Sequence, residues 1–437
     1  MLEKLETHIT TNLSFLKKAK LLIAISGGLD SVVLSKLLHE LNYSLAFAHC
    51  NFQLRDNESD DDEIFVKELG DKLNVNVHTK KFETEAFANR EKMSIQMAAR
   101  KLRYEWFQEL TTTFQYDYIL TAHHKDDALE TFIINLSRGT GIEGLTGIPE
   151  RNGNIVRPLL SFTREEIQAY AKQQQLQWRE DSSNASTKYL RNKIRHEIVP
   201  LLQELHPTFM DNFEATQEHL RGSNTIIQDY IQQLKAQLLE KVADGHYQIE
   251  IAAIEQLSNP KAYLYELLKE FGFHHWEDVS DMLSAQSGKQ LFSANYRLIK
   301  DRTHLLIQKQ TKNSEHTTEI YITKTSTKLK TPIQLHVEEV SHVTNTGKNI
   351  LYVDKELLKF PLIVRKWKNG DYFYPLGMRG KKKVSKYFKD EKYSLIDKEN
   401  QWLLCSGENI VWIIGKRSDN RYKITQPTNT IIKLTLH

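Results

Sequence analysis

Short apolar runs alternate with amphipathic stretches along residues 1–206. Four of these runs have the length and composition of buried strands: LLIAI (21–25), SLAFAHC (44–50), VNVHT (75–79) and YDYILTAH (116–123). Between them, apolar residues recur three or four positions apart, as on one face of a helix: Val33, Leu34, Leu37, Leu38 and Leu41, and later Leu102, Trp106 and Leu110. This alternation predicts a doubly wound α/β domain, whose parallel sheet is covered by helices on both faces.

The pattern changes in the second half of the chain. Residues 224–242, NTIIQDYIQQLKAQLLEKV, have a helical period and no strand pattern, so residues 207–312 are predicted to form a mostly helical domain. Lys and Thr make up half of residues 309–330, which predicts an exposed linker or an edge strand. Residues 313–437 contain short β-branched and aromatic runs such as NIVWIIG, which predict a small β or α+β domain.

The chain has only two cysteines, Cys50 and Cys405, and they form no CxxC pair. This count excludes a disulfide framework and any zinc or iron–sulfur site built from thiolates. No apolar run approaches the ~18 residues that a membrane span requires. The first residues, MLEKLETHITTNL, lack the apolar core of a signal peptide. We therefore expect a cytoplasmic protein with no membrane partner.

Charge is unevenly spread, although the net charge is only +3. Residues 56–63, DNESDDDE, include six acids and are expected to form a solvated face. Residues 361–389 include nine Lys or Arg residues and a single acid, Asp371. Five aromatic residues lie among these bases: Tyr372, Phe373, Tyr374, Tyr387 and Phe388. The mixture is typical of RNA-binding surfaces, although a small aromatic core beneath solvated lysines would give the same pattern.

The first predicted strand ends in SGGLDS (26–31), directly before a predicted helix. Glycines at such a turn let backbone N–H groups approach an anion closely, and the helix N-terminus adds partial positive charge. The segment is therefore predicted to bind phosphate. It lacks the GxxxxGK[ST] pattern, so the lysine that contacts β- and γ-phosphates in the common nucleotide loop is missing. An ordinary strand-to-helix turn capped by Ser or Asp is the plain alternative.

GTGIEG (139–144) matches the dinucleotide-binding pattern GxGxxG but lacks its context. That pattern follows a strand, whereas the preceding residues, DDALETFIINLSR, have apolar positions at helical spacing. Gly139 is therefore predicted to end a helix, with a tight loop after it.

Three carboxylates, Asp126, Asp127 and Glu130, stand in TAHHKDDALET (121–131), where a predicted strand passes into a helix. Open α/β sheets bind their ligands at this end of the strands. Spacings of three and four residues place Glu130 on the same helix face as both aspartates. Such acids can hold Mg²⁺ on ATP oxygens, bind a cationic substrate or act as a general base, and helix capping is the plain alternative. The HH pair before them lacks zinc-ligand spacing.

Two segments supply arginines to the same domain. Arg100 and Arg103 fall on one side of a predicted helix, and no acid lies between Lys188 and Arg195 in a segment that also contains Arg191. Guanidinium groups suit phosphoryl oxygens and developing negative charge. A plain amphipathic surface would also explain these charges.

Taken together, these motifs are similar to those of the tRNA(Ile)-lysidine synthetases, a family of the PP-loop ATPase superfamily. The matching segments of the first domain are SGGLDS, HCNFQLR (49–55), ARKLRY (99–104), TAHHKDDALET, RGTGIEGL (138–145) and EDSSN…RNKIR. NGDYFYPLGMRGKKKVSKYF (369–388) and IVWIIGKRSDNRYKI (410–424) resemble the terminal domain of the family's long form, so the resemblance covers nearly the whole chain. At Phe52 and Gln53 the chain departs from the family, which commonly has His and Gly there.

The resemblance implies a ligase reaction. Members of this family use ATP and L-lysine to convert the wobble cytidine of an isoleucine tRNA with a CAU anticodon into lysidine. The C2 oxygen of cytosine is adenylated with release of pyrophosphate, and the lysine ε-amine then displaces AMP at C2. The implied partners are this tRNA, L-lysine, ATP and Mg²⁺. The oligomeric state is left open, with a homodimer among the arrangements.

The resemblance also implies roles for individual residues. Asp30 would steer pyrophosphate and its Mg²⁺. ATP would be bound by the whole loop: Ser26, Gly27, Gly28, Leu29, Asp30 and Ser31.

The remaining roles concern lysine, the reacting phosphorus and the tRNA. Asp127 and Glu130 would bind lysine and deprotonate its amine, with support from Asp126. Arg100 and Arg191 would stabilise charge that develops on the phosphoryl group or the cytosine oxygen. The tRNA phosphates would be contacted by Lys381, Lys382 and Lys383.

Other PP-loop enzymes are the nearest alternatives. The tRNA thiolases need cysteines for sulfur transfer or an iron–sulfur cluster, and glutamine-dependent amide synthetases carry a cysteine nucleophile. Two distant cysteines suit neither class. A noncatalytic RNA-binding protein with a relic ATP fold is a further alternative, but loss of Asp30, Asp127 or Glu130 would mark it, and all three are present.

Overall fold

The computed structural model describes residues 1–180, 190–310, 319–326, 328–331, 333–426 and 428–437. Residues 181–189, with Lys188 and most of the EDSSN segment, lie outside the described residues, as do residues 311–318 of the Lys- and Thr-rich stretch. The chain divides into two compact units, Met1–Asp229 and Tyr230–His437. Among the described helices, none combines the length and the apolar character needed to cross a membrane.

A six-stranded sheet organises the first unit. Its strands are β1 (Lys20–Ala24), β2 (Ser44–Asn51), β3 (Asn76–Lys81), β4 (Tyr118–Leu120), β5 (Arg151–Asn152) and β6 (Ile155–Val156). They lie in the order β3-β2-β1-β4-β6-β5, and every neighbouring pair is parallel except β5 and β6. The four strands predicted from the sequence are β1 to β4, so the predicted parallel sheet is confirmed.

Helices cover both faces of this sheet. Leu21 and Ile23 of β1 point into one hydrophobic core, and Leu22 points into a second core with Trp106 and Phe107. The doubly wound arrangement is thereby confirmed. The α-helices here are α1 (Leu2–Asn12), α2 (Leu29–Glu40), α3 (Asp56–Leu73), α4 (Thr84–Glu91), α5 (Ile95–Phe114), α6 (Lys125–Ser137), α7 (Ile142–Leu145), α8 (Arg164–Gln173), α9 (Leu190–Lys193) and α10 (Val199–Glu204), with a 3-10 turn at Ser14–Lys18 and a π turn at Ile194–Ile198.

The middle of the chain is mostly helical, as predicted. The long helix α11 (Phe209–Leu238) contributes Ile231 and Leu234 to the core of the second unit. The shorter helices are α12 (Ile251–Glu255), α13 (Pro260–Leu268) and α14 (Trp276–Asp281), with a 3-10 turn at Lys269–Phe271.

An antiparallel sheet packs against these helices and was not predicted from the sequence. Its strands are β7 (Glu240–Ala243), β8 (His246–Glu250), β9 (Gln290–Phe292), β10 (Tyr296–Lys300) and β11 (His304–Lys309). They lie in the order β7-β8-β11-β10-β9. Ile249 and Leu305 turn the sheet's apolar face to the helices.

The C-terminal part is built mainly from strands, as predicted. Its described strands are β12 (Ile320–Ile322), β13 (Lys328–Leu329), β14 (Leu335–Val340), β15 (Ile350–Asp354), β16 (Leu362–Lys366), β17 (Tyr372–Phe373), β18 (Lys382–Lys383), β19 (Trp402–Ser406), β20 (Asn409–Ile413) and β21 (Ile431–Leu436). Two sheets have the orders β12-β16-β19-β20 and β13-β14-β21-β15, and β17 pairs with β18. The described Lys- and Thr-rich residues form β12 and β13, both edge strands, in agreement with the prediction. The helical elements are α15 (Val384–Asp390) and α16 (Leu395–Asn400), with 3-10 turns at Lys355–Leu357 and Asn420–Tyr422.

Candidate active site

The loop between β1 and α2 is braced by its own serines. Gly27 has a φ of +89°, a backbone conformation that residues with side chains rarely adopt. The Ser31 hydroxyl donates to the Gly28 carbonyl at 2.9 Å and accepts the Ser26 N–H at 3.3 Å. The loop is thus held in shape where the backbone enters the N-terminus of α2, a position that favours a bound anion.

A cavity of about 720 Å³ opens beside this loop. Its walls come from the loop, from the end of β2, from α5 and from the segment that leads into α6. Among the described residues, six arginines line it: Arg55, Arg103, Arg164, Arg179, Arg191 and Arg195. The acidic residues that line it are Asp30, Asp62, Asp127 and Glu180. The excess of cations suits a polyanionic substrate such as a nucleoside triphosphate.

Asp30, in the first turn of α2, has a carboxylate oxygen that no described residue contacts by a hydrogen bond. Its Oδ1 is buried and accepts no hydrogen bond from the described residues. Burial raises the pKa of this carboxyl group. No three His, Cys, Asp or Glu side chains within the described ranges are placed to hold a metal ion by themselves. The residues present therefore fit a Mg²⁺ ion that arrives with phosphate oxygens and takes Asp30 as a ligand.

The imidazole of His124 lies among three carboxylates. Its Nε2 is 3.7 Å from Asp30 Oδ2 and 3.5 Å from Asp127 Oδ2, and its Nδ1 is 3.4 Å from Asp126 Oδ2. Burial lowers the pKa of His124, but these carboxylates raise it by more, so that it lies above the ordinary value. His124 is therefore the ring on which the three carboxylates converge. The only sequence signal for this role was the HH pair directly before the two aspartates.

His123 lines the cavity beside this cluster. Its Nδ1 lies 2.9 Å from the Thr121 hydroxyl. Burial lowers the pKa of His123 to about 4, so the ring is uncharged at neutral pH. It presents a neutral hydrogen-bonding group to a molecule in the cavity.

Asp127 and Glu130 share two arginines. Arg191 Nε donates to Glu130 Oε2 at 2.7 Å. Arg195 Nη2 donates to Asp127 Oδ1 at 3.1 Å and to Glu130 Oε2 at 3.0 Å. Asp127 lines the cavity, whereas the Glu130 side chain is only 1% exposed and stands behind it. A bound molecule would therefore meet Asp127 and the arginines first.

Asp126 and Arg100 lie next to the cavity but do not line it. Asp126 Oδ2 accepts the backbone N–H of Arg164 at 2.8 Å. The Arg100 guanidinium lies 4.9 Å from the centre of the Tyr104 ring. Arg103, on the same side of α5, lines the cavity instead. Helical spacing placed both arginines on one face but did not distinguish which one enters the cavity.

The charged residues of the cavity wall that received no role from the sequence include Asp62, Arg55 and Arg179. Asp62 Oδ1 accepts Arg179 Nε at 3.1 Å, and its Oδ2 accepts Arg55 Nη2 at 2.8 Å. Asp62, Glu63 and Ser59 are buried, so the expectation of a solvated face over residues 56–63 is wrong at these three positions. Arg55 and Arg179 bind Asp62, and Asn51 and Lys67 bind Glu63. Of the three cavity-wall residues, only Arg55 had a signal, since it ends the HCNFQLR motif.

Three family profiles match the chain: a PP-loop domain over residues 1–202, a TilS substrate binding domain over 241–310 and a TilS substrate C-terminal domain over 362–434. The tRNA(Ile)-lysidine synthase of Parabacteroides distasonis is 41% identical over 417 residues, which cover 94% of each chain. That of Bacteroides thetaiotaomicron is 40% identical over 420 residues, which cover 96% of this chain and 95% of its own. The chain belongs to the tRNA(Ile)-lysidine synthase family. The family predicted from the sequence is confirmed, and with it the ligase class.

At the departure from the tRNA(Ile)-lysidine synthase pattern, Phe52 lines the cavity and Gln53 forms the turn that follows it. Gln53 has a φ of +51°, a conformation that favours glycine, and its N–H donates to Asn51 Oδ1 at 3.1 Å. The Phe52 ring lines the cavity and stacks on Phe82, with centroids 5.6 Å apart. The chain thus keeps a glycine-like turn with a glutamine in it.

The GTGIEG loop follows a helix, as predicted. Helix α6 ends at Ser137, and Gly139 has a φ of +71° just after it. No strand precedes the loop, so the dinucleotide-binding interpretation is excluded.

The two cysteines lie in different surroundings. Cys50 lines the cavity, and burial raises the pKa of its thiol to about 12. Cys405 is buried in a core of the second unit. Since a thiolate is the nucleophile and the metal ligand, a protonated Cys50 argues against the thiolase and amide synthetase alternatives.

The basic segment of the second unit presents its lysines at the surface. Lys381 and Lys383 are exposed. Lys382 is half-buried, and its Nζ lies 2.8 Å from Asp390 Oδ2. Two of the three predicted phosphate contacts are therefore open to solvent, and the third is held by a surface carboxylate.

The aromatic residues of this segment divide into two groups. Phe373, Tyr387 and Phe388 are buried in a small core, so for these three rings the alternative of a small aromatic core is confirmed and that of an RNA-binding surface is wrong. Tyr372 is 43% exposed, and Tyr374 is partly exposed. A base could reach only these two rings.

Proposed function

We propose that this protein joins L-lysine, through its ε-amine, to C2 of the wobble cytidine of an isoleucine tRNA with a CAU anticodon. ATP first adenylates the C2 oxygen, and the products are lysidine, AMP and pyrophosphate. Membership of the tRNA(Ile)-lysidine synthase family supports the overall reaction. The single observation that carries the proposal is the cavity that joins the loop 26–31 to Asp127, Arg191 and Arg195.

The chemistry requires an adenylated base because the C2 oxygen of cytosine is a poor leaving group. In the first step, a bond forms between this oxygen and the α-phosphorus of ATP, and the bond to the bridging oxygen of the β-phosphate breaks. In the second step, the lysine amine attacks C2, and AMP leaves with the oxygen. A loop without the Walker lysine is consistent with cleavage at the α-phosphorus.

The loop is the proposed site of ATP. Ser26 and Ser31 fix the loop's shape, and Gly27 and Gly28 leave its backbone open to phosphate oxygens. Asp30 would hold Mg²⁺, which neutralises phosphate charge when it is bound. The unpartnered Oδ1 of Asp30 supports this role.

Asp127 is the proposed contact for the lysine ammonium. It lines the cavity, and its carboxylate is shared by cations that an incoming ammonium could partly replace. Glu130 is buried behind Asp127, so we propose that it acts by positioning Arg191 and Arg195. It would take the amine proton only if its contacts with these arginines shift. Both arginines would face the negative charge on the phosphoryl group and the cytosine oxygen.

Two further roles are proposed for residues outside the cavity wall. Arg100, beside the cavity on Tyr104, is proposed to contact a phosphate of the tRNA or ATP once the substrates are bound. In the second unit, Lys381, Lys382 and Lys383 are proposed to contact tRNA phosphates.

The test is incorporation of labelled lysine into an isoleucine tRNA transcript by the full chain, with release of AMP and pyrophosphate measured in parallel. We expect equal amounts of lysidine, AMP and pyrophosphate, and no lysidine without ATP. Asp127 is also proposed to take the proton from the ammonium, so Asp127→Asn should lower the rate by about 10²–10⁴, as removal of a positioned acid or base does. The exposed Glu165→Gln, on α8, serves as the control. AMP release without lysine incorporation, or normal turnover by Asp127→Asn, would contradict the assignment.

A further inference from the structure

Arg55 and Arg179 reach the cavity from two elements and meet on one carboxylate. Arg55 directly precedes α3, and Arg179 follows α8. Both guanidinium groups donate to Asp62, at 2.8 and 3.1 Å. All three residues line the same cavity as the phosphate loop. None of the roles proposed above uses them.

The backbone of Arg179 is fixed against the first glycine of the loop. Its N–H donates to the Gly27 carbonyl at 2.9 Å. A Cβ placed on Gly27 would lie 3.8 Å from the Arg179 Cγ. The side chain of Arg179 therefore starts at the edge of the loop, within reach of an anion held there.

The ion pairs of Asp62 are exchangeable. The side chains of Arg179 and Arg55 are 40% and 28% exposed, so solvent screens both pairs. A pyrophosphate group has more charge and more acceptor oxygens than one carboxylate. Guanidinium groups bind phosphate oxygens in bidentate geometry, so a phosphate chain can take over these contacts.

We propose that Arg55 and Arg179 form a clamp for the β- and γ-phosphates of ATP, and that Asp62 holds the two guanidinium groups in place until the phosphates arrive. The clamp rests on the proposed function, because it would bind the pyrophosphate that ATP releases when it adenylates cytosine. When the cytosine oxygen bonds to the α-phosphorus, the electron pair of the broken bond leaves with pyrophosphate. The two guanidinium groups neutralise the charge of that leaving group.

Inorganic pyrophosphate is the probe, because its binding requires neither tRNA nor lysine. Titration calorimetry on the full chain compares the wild type with Arg179→Met and Arg55→Met. Arg90→Met is the matched control, since Arg90 is an exposed arginine of α4 outside the cavity wall. We expect each clamp variant to raise the Kd of pyrophosphate about tenfold, because one charge-assisted contact is lost. The KM for ATP should rise as well, while the Kd of AMP and the Tm stay unchanged.

An unchanged Kd of pyrophosphate in both clamp variants, or no pyrophosphate binding by the wild type, would overturn the clamp. Equal weakening of pyrophosphate and AMP would also overturn it, because that result indicates a structural role. Failure of the proposed function looks different. The wild type would then bind pyrophosphate in a clamp-dependent way but form no AMP from ATP and tRNA.

Discussion

The Nε of Arg191 lies 2.7 Å from Oε2 of Glu130, and the Glu130 side chain is almost completely buried. This buried carboxylate faces the partly exposed guanidinium groups of Arg191 and Arg195 and holds both in position. Glu130 is therefore part of the structure of the site, besides the chemical role proposed for it.

Glu130→Gln is expected to destabilise the first unit. Removing one partner of a fully buried ion pair costs about 3–5 kcal/mol. Arg191 is 42% exposed, so solvent compensates part of the loss, and we expect about 2 kcal/mol. Urea unfolding measures the change, and the surface variant Glu109→Gln, which loses only an exposed pair with Lys80, should stay within about 0.5 kcal/mol. Equal stabilities of the two variants would show that Glu130 is not an anchor.

Gly27→Ala is expected to weaken ATP binding. The φ of +89° is unfavourable for alanine by about 1–2 kcal/mol, so the loop would shift from the shape that its serines hold. Gly141→Ala is the matched control, because Gly141 has no positive φ and nothing lies within 4 Å of its added Cβ. ATP affinity measured by calorimetry should fall only in Gly27→Ala. Equal ATP affinities of the two variants would contradict the assignment of the loop to the nucleotide site.

His123 is expected to make the first unit less stable in acid. The pKa of His123 is about 4 in the folded protein and ordinarily 6.5. Between pH 6.5 and pH 4 the unfolded chain therefore binds a proton at this residue that the folded chain does not bind. Stability is lost as the pH falls from 6.5 towards 4, by about 2 kcal/mol at pH 5. His123→Gln should not show this part of the loss when urea unfolding is compared at pH 7 and pH 5.

The control for this pH experiment is His219→Gln, because His219 is an exposed histidine of α11. It should follow the wild type at both pH values. The interpretation of His123 is wrong if His123→Gln loses as much stability between pH 7 and pH 5 as the wild type does.

Replacing Lys381, Lys382 and Lys383 together by Gln is expected to weaken tRNA binding and to reduce its salt dependence. Each lost phosphate contact lowers the slope of log K against log salt by about 0.7–0.9, so three contacts would lower it by about 2. Filter binding over a range of salt concentrations gives the slope.

A charge-matched control separates this effect from the change in net charge. Lys17, Lys18 and Lys20 are exposed lysines of the first unit, and their replacement by Gln removes the same three charges. If both triple variants change the slope equally, the lysines of the basic segment are ordinary surface charges.

The first unit could be predicted from the sequence because its pattern is local. A strand covered on both faces is recognised in the sequence by a continuous apolar run. In the structure, Leu21, Leu22 and Ile23 of this run are all fully buried. The loop that follows is contiguous in sequence, and so are the acids of α6. Local spacing therefore indicated both sides of the cavity.

Features that depend on distant residues or weak patterns could not be predicted. Asp62 and Arg179 are 117 positions apart, and no spacing rule connects them. The sheet of the middle region was missed because its outer strands, β7 and β9, are only four and three residues long, and all four residues of β7 are exposed. The sequence showed only that the HH pair lacks zinc-ligand spacing, whereas the position of His124 in the site depends on how three carboxylates converge on it in the fold.

The contact between the Gly27 carbonyl and the Arg179 N–H has a consequence for the order of synthesis. A ribosome releases the SGGLDS loop early, but the residue that closes it emerges only when most of the first unit has been made. Nascent chains and fragments that end before residue 179 contain the whole motif and lack this hydrogen bond. The finished nucleotide loop is therefore a late product of translation, although its motif is one of the first parts of the chain to appear.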